Sequence, residues 1–133
     1  MKLLRYGPPG AEKPGILDAE GRIRDLSGVI DDIGPATLDD ASLDRLRAID
    51  PTTLPPVEGN PRIGPCVGNV SKFLCIGLNY ADHAAESNLP VPPEPVMFMK
   101  APSAICGPND TVIIPKNSTK PDWEVELGIV IGK

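Results

Sequence analysis

Seventeen prolines are spread through 133 residues that include only two phenylalanines, and that ratio limits the architecture before any motif is considered. Proline fixes its own φ, lacks an N–H and is confined in sheets to edges and strand starts. A chain this rich in it builds short strands and long ordered loops rather than a helical bundle. The length suits one domain or one and a half, able to bury about two-thirds of the surface exposed when unfolded.

Two organisational units follow from the pattern. Residues 2–6 read as a strand, and Gly15-Ile16-Leu17-Asp18 and Arg22-Ile23-Arg24-Asp25-Leu26 read as the arms of a hairpin closed at Ala19-Glu20-Gly21. Residues 37–49 place Leu38, Ala41, Leu46 and Ile49 at helical spacing, with Leu43 beside the stripe, acids early, Arg45 and Arg47 late, and a stop at Asp50-Pro51. The expectation is an α+β chain whose residues 1–57 form a small ββα cap. Five prolines within residues 51–65 mark an extended linker, drawn at 58–70, and residues 71–133 make the second unit.

That second unit opens with the apolar strand Phe73-Leu74-Cys75-Ile76, turns through Gly77-Leu78-Asn79-Tyr80 and enters a helix at Ala81-Asp82-His83-Ala84-Ala85-Glu86, with Asn79 as the expected N-cap. Further strands are expected at residues 96–99 and 112–114, with a turn at Gly107-Pro108-Asn109-Asp110. His83 is the only histidine, and Glu86, three positions on, shares its helical face. A carboxylate on one ring nitrogen would fix the tautomer and leave the other nitrogen as a general base, although the same pair also decorates ordinary solvated helices. A helix entered straight from a buried strand opens toward the strand's carboxyl end, where open α/β sheets hold ligands. Lys100, after Val96-Met97-Phe98-Met99, either meets a substrate carboxylate or snorkels from a strand end.

Near the end, Asp122-Trp123-Glu124-Val125-Glu126-Leu127-Gly128 runs into Ile129-Val130-Ile131 and reads as a strand with acid on one face. Glu124 and Glu126 would then point the same way about 7 Å apart. Their repulsion at that spacing is about 2 kcal/mol for an effective dielectric near 20, and it grows with burial. An enclosed pair of this kind needs a cation or a shared proton; an open one is the wet face of a half-buried strand. The apolar run that follows suggests an interior strand with the carboxylates at the edge of a core, which favours a bound divalent metal.

Net charge is −5, and no lysine or arginine cluster exists, which counts against nucleic acid or an anionic membrane as the main partner. No apolar run approaches the ~20 residues of a membrane span, and residues 1–6 lack the apolar core of a signal peptide, so a cytoplasmic protein with a small-molecule partner is expected. Cys66, Cys75 and Cys106 are odd in number and irregularly spaced, which suits neither a disulfide framework nor a zinc site, and Cys75 is most simply core.

Three ordered motifs together resemble the fumarylacetoacetate hydrolase family. They are Ile76-Gly77-Leu78-Asn79-Tyr80-Ala81-Asp82-His83-Ala84-Ala85-Glu86, then Pro95-Val96-Met97-Phe98-Met99-Lys100 with Ser103-Ala104-Ile105, then the run from Asp122 to Lys133. The first 57 residues are similar to the small N-terminal domain of bacterial two-domain members, including those labelled ureidoglycolate lyase or dienoate isomerase. The resemblance implies that residues 71–133 begin the mixed β-roll or β-sandwich catalytic core of that family. It implies Glu124 and Glu126 as ligands of Mg²⁺, or of Mn²⁺ or Ca²⁺, which hard oxygen donors suit. It implies His83 as catalytic base with Glu86 as its partner, and Lys100 as a lysine near the substrate. The implied activity is metal-dependent cleavage of a C–C or C–N bond in a small 2-oxo or 1,3-dicarbonyl acid, such as an acylpyruvate, oxaloacetate or ureidoglycolate, by a homodimer.

The family pattern also carries an aspartate ligand on a later strand and about twice this length. That difference predicts a chain that is the front portion of the enzyme, with part of the core built. Two function classes follow: a metal-dependent hydrolase or lyase of oxo acids, and a non-catalytic remnant or accessory binding module with no useful affinity for divalent metal.

Overall fold

The computed structural model describes residues 1–132, and its contacts divide the chain into two compact units. One comprises Met1–Asn69 together with the segment from Cys106 onward; the other is Val70–Ile105. The architecture is α+β, with small antiparallel sheets and short helices.

In the first unit, β1 (Leu3–Tyr6), β2 (Lys13–Leu17) and β3 (Ile23–Asp25) form an antiparallel sheet in that order, with Leu3 opposite Ile16 and Ile16 opposite Arg24. The hairpin closes because Asp18 binds its own turn: Oδ1 accepts the Glu20 and Arg22 amides at 3.1 and 2.9 Å, and Gly21 takes φ +78°, a conformation that favours glycine. The expected helix forms as α1 (Asp40–Arg47), shorter than its apolar stripe. Asp39 caps it by accepting the Ser42 amide at 3.0 Å, and the Ser42 hydroxyl donates to Asp39 at 2.6 Å. Leu46 carries the helix onto the sheet, packing with Ile16 and Leu26 into the core, flanked by Leu3, Ile30, Ile49 and Leu54.

The proline-rich stretch runs along the sheet rather than between bodies. Asp25 donates to Pro55 at 2.9 Å, Val57 donates to Ile23 at 2.9 Å, and Arg24 pairs with Pro56, so this piece covers the β3 edge. Further on, Gly7 donates to Arg62 at 2.9 Å, Gly64 donates to Arg5 at 2.8 Å, and Tyr6 pairs with Ile63, so a second piece covers the β1 edge. Proline fits such positions because an outermost segment needs only some of its donors, and both pieces shield edges that would otherwise invite pairing with another chain.

A chain of ion pairs crosses this unit. Arg5 holds Asp32 through Nε and Nη2 at 2.7 and 3.1 Å and lies 3.6 Å from Glu12. Glu12 accepts Arg62 Nη1 at 2.9 Å, and Arg62 grips Asp110 with Nε and Nη2, both at 2.6 Å. The expected turn at residues 107–110 is present, closed by Asp110 N–H to Gly107 O at 3.1 Å.

In the second unit, β4 (Phe73–Gly77) and β5 (Val96–Lys100) form an antiparallel ladder in which Gly77 faces Val96 and Phe73 faces Lys100. Between them, α2 (Ala81–Glu86) buries Ala84. Its N-cap is Tyr80, which makes no side-chain capping bond, so the Asn79 expectation is corrected by one residue. Leu78, two residues before that cap, takes φ +50°, a left-handed conformation unusual for a bulky side chain. β4 alternates half-buried and exposed residues, and β5 is exposed throughout. Cys75 is accordingly half-buried rather than core.

The strands expected at residues 112–114 and 122–131 do not form among the described residues. A strand exists only as part of a ladder, because its N–H and C=O groups need a facing partner. Here Val125, Leu127, Ile129 and Ile131 are exposed instead of packed, with Ile131 86% open. Their apolar residues gave these segments the capacity for a strand, but among the described residues no ladder partner faces them.

Candidate functional site

His83 sits in the middle of α2, two residues past the helix start and six beyond the end of β4. The turn that delivers it is strained at Leu78, where a left-handed non-glycine conformation costs about 1–2 kcal/mol. Glu86 lies three positions on along the same face, and both side chains are exposed. Among the described residues the His83 ring and the Glu86 carboxylate make no hydrogen bond with each other, so the spacing brings the groups together without closing the pair. The helix ends cleanly: Asn88 takes φ +53°, Ser87 donates to His83 O at 3.0 Å, and Leu89 donates to Ala84 O at 2.9 Å.

Lys100 closes β5 opposite Phe73, whereas α2 is entered from Gly77 at the other end of the same ladder. Four residue steps of strand separate those ends, about 13 Å along the backbone. Lys100, His83 and Glu86 all belong to the Val70–Ile105 unit, and Glu124 and Glu126 belong to the other.

Glu124 and Glu126 are exposed on a segment with no regular secondary structure. Their donor chemistry fits a hard divalent cation, since carboxylate oxygens are what Mg²⁺, Mn²⁺ and Ca²⁺ take. Two carboxylates supply fewer oxygens than the ~6 such ions hold, which leaves positions for water and substrate oxygens. Among the described residues no group of three or more His, Cys, Asp or Glu side chains is gathered as a ligand set.

The charged groups that do converge are ones sequence reading passes over. Arg62 and Asp110 are 48 positions apart, and Arg62 and Glu12 are 50 apart. Local pattern carries no signal for pairs at that separation; the nearest hint is an arginine inside an otherwise proline-rich stretch. Arg62 holds the Asp110 and Glu12 carboxyls below the usual range, and its own guanidinium is correspondingly more basic.

Comparison with known proteins places these observations. Residues 72–133 match the family described as fumarylacetoacetate (FAA) hydrolase, C-terminal. Proteins of Burkholderia cenocepacia, Burkholderia multivorans and Burkholderia ambifaria, each provisionally named a hydrolase, are 70% identical to this chain over 132 residues. The match takes in 99% of this chain and 47% of each relative, so the chain spans about half the length of the curated proteins it resembles. His83, Glu86, Lys100, Glu124 and Glu126 all fall within residues 72–133, the stretch that matches the fumarylacetoacetate hydrolase family.

Proposed function

We propose that this chain contributes the base, the substrate lysine and two metal-binding carboxylates of a divalent-metal-dependent hydrolase or lyase that cleaves a C–C or C–N bond in a small 2-oxo or dicarbonyl acid. The observation that carries the reading is the family match over residues 72–133, which contains all five residues with this chemistry.

Each residue has a defined task. Glu124 and Glu126 hold the cation, Mg²⁺ or else Mn²⁺ or Ca²⁺, through hard oxygens. The bound ion supplies Lewis acidity to the substrate's oxygen atoms. The free imidazole nitrogen of His83 accepts a proton from a water molecule as that water's oxygen bonds to the substrate carbonyl carbon. When the C–C bond breaks, its electron pair passes to the adjacent carbon, which recovers the proton from His83. Glu86, one turn along α2 on the same face, would take the other ring nitrogen once the pair closes, fixing the tautomer and favouring the protonated intermediate state of the ring. The Lys100 ammonium pairs with the substrate carboxylate as a point charge.

The test is turnover. Acylpyruvates, oxaloacetate and ureidoglycolate are offered separately, with Mg²⁺ and after chelation. Metal-dependent loss of one of them supports the reading, and no turnover of any oxo acid by this chain, alone or joined to the remaining half of a Burkholderia relative, leaves the accessory-module reading in its place.

A further inference from the structure

We propose that Arg62 is a positioning residue: it clamps the turn of residues 107–110 onto the N-terminal sheet and thereby fixes where the chain bearing Glu124 and Glu126 departs. Its second half rests on the metal reading above.

The clamp is built from both sides. Arg62 lies in the segment that covers the β1 edge, its backbone oxygen accepting from Gly7 at 2.9 Å, so its base cannot drift from the sheet. Its guanidinium spends four bonds: two on Asp110 at 2.6 Å, one on Glu12 at 2.9 Å and one on the Gly7 carbonyl at 3.0 Å. Paired N–H bonds to one carboxylate fix direction as well as distance, which a single ammonium cannot do. On the turn side, Asp110 Oδ2 also accepts the Gly107 amide at 2.6 Å, so the carboxylate that Arg62 grips is the one that closes the turn.

A steric observation supports the electrostatic one. Gly107 is buried, and a Cβ there would collide with the backbone carbonyl of Ile63, the residue next to Arg62. The turn therefore lies flush against the segment that carries the clamp. Charges alternate through Asp32, Arg5, Glu12, Arg62 and Asp110, so each arginine sits between two acids and neither is stranded.

The clamp joins parts of the sequence with different origins in the comparison. Asp110 and Gly107 lie inside the stretch matched by the family, whereas Arg62, Glu12 and Gly7 lie outside it. The N-terminal residues thus hold a piece of the matched sequence in place, and the stretch carrying the carboxylates of the proposed site follows it in the chain, beginning at Asp122.

Amide hydrogen exchange on the whole chain tests this, with the Leu17 and Asp18 amides, which bond to Lys2 and Arg22, reporting that the sheet is intact. In Arg62→Met, exchange at Gly107 and Asp110 should accelerate about tenfold or more, while Leu17 and Asp18 stay protected. Arg62→Lys should not restore protection, because charge without the paired geometry is insufficient. Should Arg62→Met fail to fold, Asp110→Asn removes the ion pair from the turn side and should accelerate Gly107 in the same way. Unchanged exchange at Gly107 and Asp110 with an intact sheet overturns the clamp. Titration with Mn²⁺ reads the second half: affinity should fall about tenfold in Arg62→Met, as for loss of a residue supporting metal ligands. Equal Mn²⁺ affinity alongside faster exchange overturns positioning, and a wild type that binds no Mn²⁺ overturns the metal reading while exchange alone decides the clamp.

Discussion

Arg24 reaches from β3 to the carboxylate of Asp18, donating from Nε at 2.9 Å, and the Asp18 side chain is entirely covered. Arg22 adds a backbone N–H at 2.9 Å and Nε at 3.0 Å. One acid thus satisfies a hairpin turn and two guanidinium groups, and it sits at the end of the central strand where a mispaired register would leave it buried and alone.

The Asp18 arrangement makes acid stability specific. Burial opposes ionisation of Asp18, but the Arg22 amide and the Arg24 and Arg22 guanidinium groups outweigh it and lower the pKa to about 2 from 3.8. A native pKa below the unfolded one means that the stabilisation is complete above pH 3.8 and is lost as pH falls through about 2. Urea midpoints should therefore drop across that window. In Asp18→Asn, already weaker at neutral pH, the drop should be smaller, and a drop as steep as in wild type would remove Asp18 from the acid response.

Tyr6 gives the alkaline counterpart. It is buried in β1, and burial, then the charge and hydrogen bond of Asp25, push its pKa up to about 12 from 10.0. Because the native value is raised, its contribution is intact below pH 10.0 and disappears as pH rises through about 12. Ultraviolet titration of the Tyr80→Phe variant, in which Tyr6 is the remaining tyrosine, should show a midpoint near that value that moves down in Asp25→Asn; a midpoint unmoved by Asp25→Asn contradicts the assignment.

The core makes its own demand. Leu26 is fully buried against Ile16 and Leu46. Leu26→Ala should destabilise the first unit by about 3 kcal/mol, the lost transfer energy plus the cavity left behind. Urea unfolding followed by circular dichroism measures it, and a loss under about 1 kcal/mol would mean that the site collapses around the smaller residue.

Catalysis tests His83. Joined to the remaining half of a Burkholderia relative, the chain with His83→Ala should lose about 10²–10⁴-fold in kcat while Mn²⁺ affinity stays within about twofold, as expected for loss of a general base. Turnover unchanged by the substitution removes His83 from the proton transfer.

What sequence made legible was local. The hairpin at Ala19-Glu20-Gly21, the helix before Asp50-Pro51 and the strand–turn–helix from Phe73 to Glu86 each carry their own punctuation, and each appears within a few residues of expectation. Residues 112–114 carried only a short apolar run and residues 122–131 an acid–apolar alternation running into another, and a strand's energy resides in a partner that neither pattern names. The reading of residues 51–65 as a linker failed to foresee their pairing along two sheet edges, because proline's missing donor marks an edge as well as a loop. Arg62 and Asp110 were invisible for the same reason as any pair 48 residues apart. At the candidate site, spacing put Glu86 beside His83, yet whether the two bond depends on rotamers that spacing leaves open.

Calorimetric titration of Mn²⁺ or Mg²⁺ into the wild-type chain and into Glu124→Ala addresses the central claim most directly. The account predicts saturable binding to wild type that is lost in Glu124→Ala and equally in Glu126→Ala. No binding to wild type, or binding that survives both substitutions, would contradict it.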